Sequence, residues 1–467
     1  MTSWSPQIEK NDDEPLYVTI ASALYRDIHE GRLAPGTRLP THRALARRLE
    51  CNVGTITRAY AEAARRGLID GEVGRGSFVR HPAARGRLTA PAPDTIPEGL
   101  VDLAFNLPSG GPTAEERSRA LSELAAREDL DGLFTGYHLQ GLPAHRAAGA
   151  RWLAERGVKA PPERILIAGG AQHALAVALA TCGQPGDVVL AEALTYTGLK
   201  PLARLLGQRL APIELDAEGI VPEAVEAACA GKEVRALYVQ PTSQNPTAVT
   251  LSRARREQLV AIARRFDIVL VEDDTYGFVD DSGLPTLAQL APERTYYMTS
   301  LSKSVSSGLR VGYLLPPELP DDVLERAIAS VTAIGWTAAP LVTELATRWI
   351  DSGVARRVAA EKRAEARARQ EMARRILGEI STPSGRESCH LWLELPKSWS
   401  TNEFVARAQL AGAAVSSAEA FVVGRGSAPR AVRVCLSTPR TRAELERGLS
   451  ALAATLRSSP ATAPALV

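Results

Sequence analysis

One lysine, Lys303, lies in a polar stretch over 299–310 that contains several hydroxyl side chains and one arginine. A lysine amine can form a Schiff base with an aldehyde, and other side chains must then control the bound molecule. An aldehyde cofactor of this kind needs an acid at its ring nitrogen, donors around its anionic group and an aromatic face against its ring. We therefore expect residues of these three kinds elsewhere in the chain.

Two predicted strands are followed by side chains that suit the ring of such a cofactor. Asp273 follows the apolar run 268–272 and could keep a pyridine nitrogen protonated, while Tyr276 could donate to a phenolic oxygen. Asn245 follows the apolar run 236–239 and could bind the same oxygen. Ligands of an open α/β sheet bind at the carboxyl ends of its strands, so we expect these side chains to lie together.

Donors for the anionic group occur at a predicted helix start. Gly169-Gly170 precedes a helix that begins with Ala171 and Gln172, and the free N–H groups of a helix start favour a phosphate. None of these signals is specific alone, but their order along the chain, each after a strand, predicts pyridoxal 5′-phosphate (PLP) as the cofactor. The further phosphate donors and the candidate stacking face are Ser300, Ser302, Arg310 and Tyr196.

The spacing of apolar runs predicts the fold that positions these residues. From about residue 101, short apolar strands alternate with helical stretches, which predicts a parallel sheet covered by helices. A long Arg-rich helix over 354–378, whose basic face we expect in solvent, leads to a final α/β portion. The predicted strands are 165–168, 188–191, 236–239, 268–272 and 296–299.

The N-terminal 80 residues predict a separate unit, a winged helix-turn-helix. Three helices, the last over 53–66, precede a short hairpin. The last helix of such a unit enters the major groove of DNA, where short polar side chains meet base edges. Nine Arg against four acidic residues over 38–80 favour contact with phosphates. The candidate DNA-contacting residues are Arg43, Asn52, Gly54, Thr55, Thr57, Arg58 and Arg75.

Two motifs of this unit, RLPTHRALA over 38–46 and TITRAY over 55–60, resemble the GntR family of regulators. The resemblance spans about residues 16–80 and implies binding to double-stranded DNA. Glu50 stands where a turn glycine is usual, and Val53 stands where many relatives have Arg, which removes one expected DNA contact. A helix-turn-helix used only for protein packing is the alternative.

The motifs of residues 101–456, in their order, resemble the class I and II aminotransferases of fold type I. The resemblance implies an internal aldimine between PLP and Lys303. It implies that Arg433 binds a substrate carboxylate, with a structural ion pair as the other interpretation. It also implies that Tyr137 reaches the phosphate of the other subunit, so that a dimer completes the site. Ala171 lacks the hydroxyl often found at its position, which leaves its backbone N–H to hold the phosphate.

The two modules together resemble the MocR subgroup of GntR regulators over nearly the whole chain. This resemblance implies a domain-swapped homodimer that binds a DNA operator and responds, through the aldimine at Lys303, to an amino compound or to PLP itself. Every residue needed for transamination is present in the sequence, so an active aminotransferase with a DNA-binding head is the alternative. A third interpretation is a sensor of PLP alone, in which Arg433 is dispensable.

Composition and the remaining motifs argue against other classes of protein. The five Cys and the His residues have no metal-ligand spacing, so we expect no metal site and a reducing cytoplasm. Acidic residues at 12–14 stand where a signal peptide would be apolar, and the uncharged stretch 165–186 predicts a buried strand and helix rather than a membrane span. The predicted domains are 1–80 (helix-turn-helix), 81–100 (linker), 101–456 (PLP-binding) and 457–467 (flexible tail).

Overall fold

The computed structural model forms two compact units, one within Met1–Thr89 and one within Ala90–Val467, called here the head and the body. Two candidate site residues, Arg75 and Tyr137, lie outside the described residues, as do most of the predicted linker and the tail from residue 459. The structure describes residues 4–6, 15–29, 32–33, 37–65, 68–72, 76–79, 99–108, 110–136, 138–231, 233–378, 385, 387–424 and 426–458.

The head consists of three helices and an antiparallel hairpin around one apolar core, which confirms the winged helix-turn-helix. Thr41 begins the second helix as predicted, because its hydroxyl oxygen accepts the N–H of Ala44 at 3.3 Å. Ile20, Leu45 and Ile56 contribute one fully buried side chain from each helix. The elements are α1 (Leu16–His29), α2 (His42–Arg48), α3 (Val53–Arg65), β1 (Ile69–Glu72) and β2 (Gly76–Val79).

The turn between α2 and α3 forms without the usual glycine. Glu50 adopts a left-handed backbone conformation with φ of 49°, and the N–H of Cys51 donates to the carbonyl oxygen of Ala46 at 3.0 Å. A left-handed conformation costs a non-glycine residue roughly 1–2 kcal/mol. The substitution at this position therefore leaves the turn intact and adds backbone strain to it.

The body is a helix-covered α/β unit. Its strands are β3 (Val101–Asp102), β4 (Leu166–Ala168), β5 (Val188–Glu192), β6 (Arg209–Ile213), β7 (Leu215–Asp216), β8 (Gly219–Ile220), β9 (Ala236–Val239), β10 (Val269–Asp273), β11 (Thr295–Ser300), β12 (Gly312–Leu315), β13 (His390–Glu394), β14 (Ala413–Ala414), β15 (Ser416–Ser417) and β16 (Ala431–Cys435). Its helices are α4 (Ala114–Ala125), α5 (Asp131–Thr135), α6 (Pro143–Glu155), α7 (Ala171–Cys182), α8 (Leu199–Leu205), α9 (Pro222–Gly231), α10 (Arg253–Arg265), α11 (Leu287–Leu290), α12 (Leu301–Ser304), α13 (Val323–Ile334), α14 (Pro340–Asp351), α15 (Val354–Leu377), α16 (Thr401–Leu410) and α17 (Arg442–Arg457).

The main sheet has seven strands in the order β4-β12-β11-β10-β9-β5-β6. The prediction of an all-parallel sheet is wrong at one strand, because β12 pairs antiparallel with both β11 and β4. The connection 301–311 is shorter than the dozen or more residues that a parallel crossover needs, so the chain returns in the opposite direction. The parallel strands β5, β9, β10 and β11 direct their carboxyl ends to one edge.

The C-terminal part of the body has its own antiparallel sheet, β13-β16-β15, and its own apolar core. Helix α15 belongs to both cores of the body. Ala355 and Ala359 near its start pack in the core beside the main sheet, whereas Ala373 and Leu377 near its end pack in the C-terminal core. The long Arg-rich helix that the sequence predicts therefore joins the two parts of the body.

The uncharged stretch 165–186 forms strand β4 and the buried helix α7, as predicted. Within the residues that the structure describes, no helix has the length and apolar character needed to cross a membrane.

Candidate functional site

Lys303 lies on the four-residue helix α12, directly after the carboxyl end of β11. Its Nζ donates to the carbonyl oxygen of Asn106. Burial, aided by the positive charges of Arg433 and Arg310, lowers the pKa of the Lys303 amine to about 8. Burial disfavours the charged form of an amine, so Lys303 reaches its uncharged, nucleophilic form at a lower pH than an exposed lysine does.

Asp273 lies at the carboxyl end of β10 and is almost completely buried. Its Oδ2 accepts hydrogen bonds from the Tyr238 hydroxyl at 2.9 Å and from Gln240 Nε2 at 3.0 Å. Its Oδ1 accepts the N–H of Thr275 at 3.1 Å and also the Thr275 hydroxyl. Burial raises the pKa of Asp273, and these donors act in the opposite direction. The four hydrogen bonds fix the carboxyl group in one orientation, in which it could face a pyridine nitrogen.

A hydrogen-bonded series links Lys303 to Tyr276 through residues that the sequence did not single out. Asn106 Nδ2 donates to the Tyr276 hydroxyl at 3.0 Å and lies 3.1 Å from His390 Nδ1. His390 Nε2 lies 3.0 Å from the carbonyl oxygen of Gln244, so Nε2 carries the hydrogen and Nδ1 accepts. Burial lowers the pKa of His390 to about 3, so the ring is neutral. The Tyr276 hydroxyl accepts from Asn106 and keeps its own hydrogen for another acceptor.

Arg433 and Asn245 lie together although 188 positions separate them in the sequence. Arg433, on β16, donates through Nη1 to Asn245 Oδ1 at 2.7 Å and through Nη2 to the carbonyl oxygen of Ala104 at 2.6 Å. Its guanidinium carbon lies 4.8 Å from the centre of the Phe421 ring, and its buried Nε has no hydrogen-bond partner. Arg433 makes no ion pair with a carboxylate of the described residues, and it could bind one from a ligand.

One residue connects the Asp273 and Arg433 groups. Gln240 donates through Nε2 to Asp273, and its Oε1 accepts the N–H of Asn245 at 3.2 Å. Because the Asn245 side-chain oxygen is used by Arg433, the Asn245 amide hydrogens remain for a phenolic oxygen. Gln240 follows β9 directly, so the strand-end pattern could have identified it in the sequence.

The start of helix α7 has the character of a phosphate site. Gly170 precedes the helix with φ of 90°, and no side chain caps the first N–H groups, at Ala171 and Gln172. The Arg310 guanidinium lies against Gly170, since a Cβ there would be 2.8 Å from Arg310 Nη2. Free helix N–H groups beside a guanidinium attract an anion. The structure thus places Arg310 beside the residue that precedes Ala171.

The remaining candidates for the cofactor pocket are hydroxyl and aromatic side chains. The buried Ser302 hydroxyl has no hydrogen-bond partner, whereas Ser300 accepts the N–H of Ser302 at 3.4 Å. Tyr196 and Gln172 both lie against Gly198, where a Cβ would be 2.5 Å from an atom of each. A partnerless hydroxyl, free N–H groups and a guanidinium fit the phosphate of PLP, so the donor set suits this cofactor.

In the head, the candidate DNA-contacting residues lie on the accessible side of α2 and α3. On α3, Thr55 is partly exposed, whereas Ile56 lies on the buried side of the helix. Asn52 Oδ1 accepts the N–H of Gly54 at 2.9 Å and caps α3, and the Thr57 hydroxyl donates to Val53 at 3.0 Å. The amide hydrogens of Asn52 remain free of this cap and could donate to a base edge. The exposed members of the set are Arg43, Asn52, Gly54, Thr57 and Arg58.

Comparisons with known proteins cover both units. Residues 98–452 match the aminotransferase class I and II family, and residues 16–79 match the bacterial regulatory proteins of the gntR family. The uncharacterized HTH-type transcriptional regulator YdeF of Bacillus subtilis is 32% identical over 450 residues, which are 96% of each chain. The chain belongs to the GntR-type regulators with an aminotransferase body.

Two further relatives agree with this assignment and with the MocR resemblance. The pyridoxine biosynthesis regulator PdxR of Corynebacterium glutamicum is 28% identical over 386 residues, or 80% of this chain and 82% of PdxR. The crystal structure of LysN, an α-aminoadipate aminotransferase of Thermus thermophilus complexed with N-(5′-phosphopyridoxyl)-L-leucine, is 26% identical with a TM-score of 0.69. That match covers 81% of this chain and 97% of LysN. The regulator therefore has a fold type I body, and its cofactor is PLP, as the sequence predicts.

Proposed function

We propose that this regulator holds PLP at Lys303 and senses an amino compound that takes the place of the lysine. The observation that carries the proposal is the hydrogen-bonded group Asp273–Gln240–Asn245–Arg433, which lies at the strand ends beside Lys303 in a chain that also has a DNA-binding head. This group combines an acid for the ring, an amide for the phenolic oxygen and a guanidinium for a carboxylate. The effector we expect is an α-amino acid.

The proposed roles follow from the hydrogen-bond donors of each residue that are not used in contacts within the protein. PLP supplies an aldehyde carbon that exchanges one amine for another. Asp273 would hold the ring nitrogen protonated, and Asn245 and Tyr276 would donate to the phenolic oxygen. Arg433 would bind the effector carboxylate through its partnerless Nε and its Nη groups.

The phosphate would be held by a second group of residues. Helix α7 would contribute its first N–H groups, and the side chains of neighbouring segments would add further donors. Tyr196 would stack on the ring. The residues of this group are Ala171, Gln172, Ser300, Ser302 and Arg310, with Tyr137 contributed by the partner of a homodimer.

The exchange at Lys303 needs no oxidant or reductant. The incoming amine nitrogen forms the bond to carbon that Nζ gives up, and the two hydrogens of the incoming amine end on Nζ. Lys303 then carries a free amine, and its pKa of about 8 makes the uncharged form needed for the return reaction more accessible than in an exposed lysine. We propose that the two states of the body favour different DNA affinities of the homodimer, which is the requirement for allosteric control. DNA as the target makes the cytoplasm the proposed location.

The test compares wild-type protein with Lys303→Ala. We expect the variant to bind operator DNA with unchanged affinity in fluorescence anisotropy and to lose its response to amino acids, because only the head contacts DNA. A response to the effector that survives in Lys303→Ala would refute the covalent mechanism.

The visible absorption spectrum separates a sensor from an aminotransferase. A sensor shifts its cofactor band when an amino acid is added, and the shifted band persists. Conversion to the pyridoxamine form, reversed by a keto acid, would instead identify an active aminotransferase.

A further inference from the structure

A second lysine, Lys362, lies directly behind the cofactor lysine. Lys362 is on helix α15, which packs against the short helix α12 that contains Lys303. Its Nζ donates to the carbonyl oxygen of Lys303 at 3.4 Å. The side chain is buried, with 8% of the residue surface exposed. The proposed function does not use this amine, which makes its burial a feature to explain.

Lys362 has no countercharge among the described residues. No carboxylate of the described residues lies within ion-pair distance of its Nζ, and the group that acts on it most, apart from burial, is the thiol of Cys389. Burial raises the pKa of that thiol, so the thiol is neutral near pH 7 and supplies no negative charge. An unpaired buried cation is expensive to keep, and a purely structural lysine would be replaced by an apolar side chain at lower cost.

The contact with Lys303 gives Lys362 a mechanical role. Helix α12 has only four residues, and among the described residues no backbone N–H donates to the Lys303 carbonyl oxygen. The Nζ of Lys362 donates a hydrogen bond to this oxygen. Lys362 belongs to α15, a helix that packs in both cores of the body. The hydrogen bond therefore holds the backbone of the reactive lysine against a fixed element.

The contact also has an electrostatic consequence. Repulsion between two like charges is mutual, so each protonated amine disfavours protonation of the other. The pKa of Lys362 is lowered to about 8 by burial and by Lys303. Lys303 faces two further cations, Arg433 and Arg310, whose charges also lower its pKa. The pKa of each amine is therefore about 8, and protonation of Lys362 disfavours protonation of Lys303.

We propose that Lys362 is a positioning residue that holds the backbone of Lys303 and, through its own positive charge, favours the uncharged, nucleophilic form of the Lys303 amine. This inference rests on the proposed function, since it concerns the ease with which Lys303 takes the cofactor back after exchange. The other titratable or charged groups that act on the two amines are Cys389, Cys435, His390, Arg433 and Arg310. The two thiols and the imidazole are neutral near pH 7, because burial raises the pKa of each thiol and lowers that of the imidazole.

The test measures how fast the full-length apoprotein takes up PLP between pH 6 and 10, from the rise of its visible band. We expect the wild-type rate to increase with pH around a midpoint near 8, because only the uncharged amine of Lys303 attacks the aldehyde. Lys362→Gln keeps a donor without the charge, and its midpoint should rise by about one pH unit. At a pH below the wild-type midpoint this shift makes uptake about tenfold slower.

Three further variants separate charge, hydrogen bond and unspecific effects. Lys362→Arg keeps the charge and should retain the wild-type midpoint. Lys362→Met loses both functions, so its midpoint should rise and its maximal rate should fall below that of Lys362→Gln. The exposed Lys159→Gln should behave as wild type. Circular dichroism confirms folding, and Lys362→Gln and Lys362→Arg decide the question if Lys362→Met does not fold.

The possible results distinguish this inference from the proposed function. A wild-type midpoint in Lys362→Gln would refute the electrostatic role while leaving the function of Lys303 untouched. A wild-type protein that never develops a visible band with PLP would refute the proposed function itself, and this inference with it.

Discussion

A methyl group added at Gly312 tests how closely the two sides of the cofactor site are packed. Gly312 begins β12, where its neighbours are β4 and β11. A Cβ there would lie 2.8 Å from the carbonyl carbon of Gly170, and 3.0 Å from both the Gly170 Cα and the Thr299 oxygen. Carbon atoms normally pack at about 3.5–4.0 Å. These neighbours are backbone atoms, so the strands themselves must separate by roughly half an ångström or more.

The expected cost of Gly312→Ala follows from this crowding. Inserting a methyl group into a packed core costs about 1–3 kcal/mol, and we expect the free energy of unfolding to fall by that amount. Gly170 leads into α7 and Thr299 leads into α12, so the shift also displaces groups proposed to hold PLP. A loss of about 1.4 kcal/mol in binding would weaken PLP affinity tenfold.

The assay is thermal unfolding with and without PLP, together with a spectroscopic PLP titration. Gly308→Ala is the matched control, because Gly308 lies close by on the chain and a Cβ there would have no atom within 4 Å. Equal unfolding temperatures and equal PLP affinities for the two variants would show that the strands relax freely, which would contradict the argument.

Four other changes probe single contacts. Asp273→Asn should slow amine exchange by roughly 100-fold in stopped-flow absorbance while DNA binding is unchanged, because the charge at the ring nitrogen is lost; an unaltered rate would exclude that role. Arg433→Met should raise the half-saturating concentration of α-amino acids by roughly 10- to 100-fold but leave carboxyl-free amines unaffected, and an equal loss for both ligands would point to a structural role. Thr41→Ala should destabilise the head by about 1 kcal/mol in thermal unfolding, with Thr41→Ser as the control. Arg58→Ala should reduce the slope of log affinity against log salt concentration by about one, and an unchanged slope would remove Arg58 from the phosphate contacts.

The parts of the fold that local sequence determines were predictable. The strands β5, β9, β10 and β11 are short apolar runs, and the Thr41 cap follows from the preference of a hydroxyl residue for a helix start. Strand β6 was not predicted, because it is an edge strand in which only Ile213 is buried and which contains Pro212. The antiparallel direction of β12 depends on the length of a connection, which apolar periodicity does not report.

The candidate site was predictable where residues follow strands and not elsewhere. Asp273 and Asn245 follow a strand directly or after a short loop, and the structure places them in one hydrogen-bonded group. Asn106 and His390 are 284 positions apart and meet only through tertiary packing. No local pattern marks either residue as part of a site. The contact between Lys362 and Lys303 was missed for the same reason, because two helices far apart in sequence create it.

Helix α15 is one continuous, stiff element that both parts of the body share. Its 24 residues span about 36 Å, with one end embedded beside the main sheet and the other in the C-terminal core. A helix that is packed at both ends moves as one unit, so a rotation at one end is carried to the other. A tilt of the C-terminal part about the main sheet would therefore turn this helix, and Lys362, the ninth of its 24 residues, contacts the backbone of Lys303. We expect a ligand carboxylate bound at Arg433, which lies in the C-terminal sheet, to influence the reactive amine through this helix.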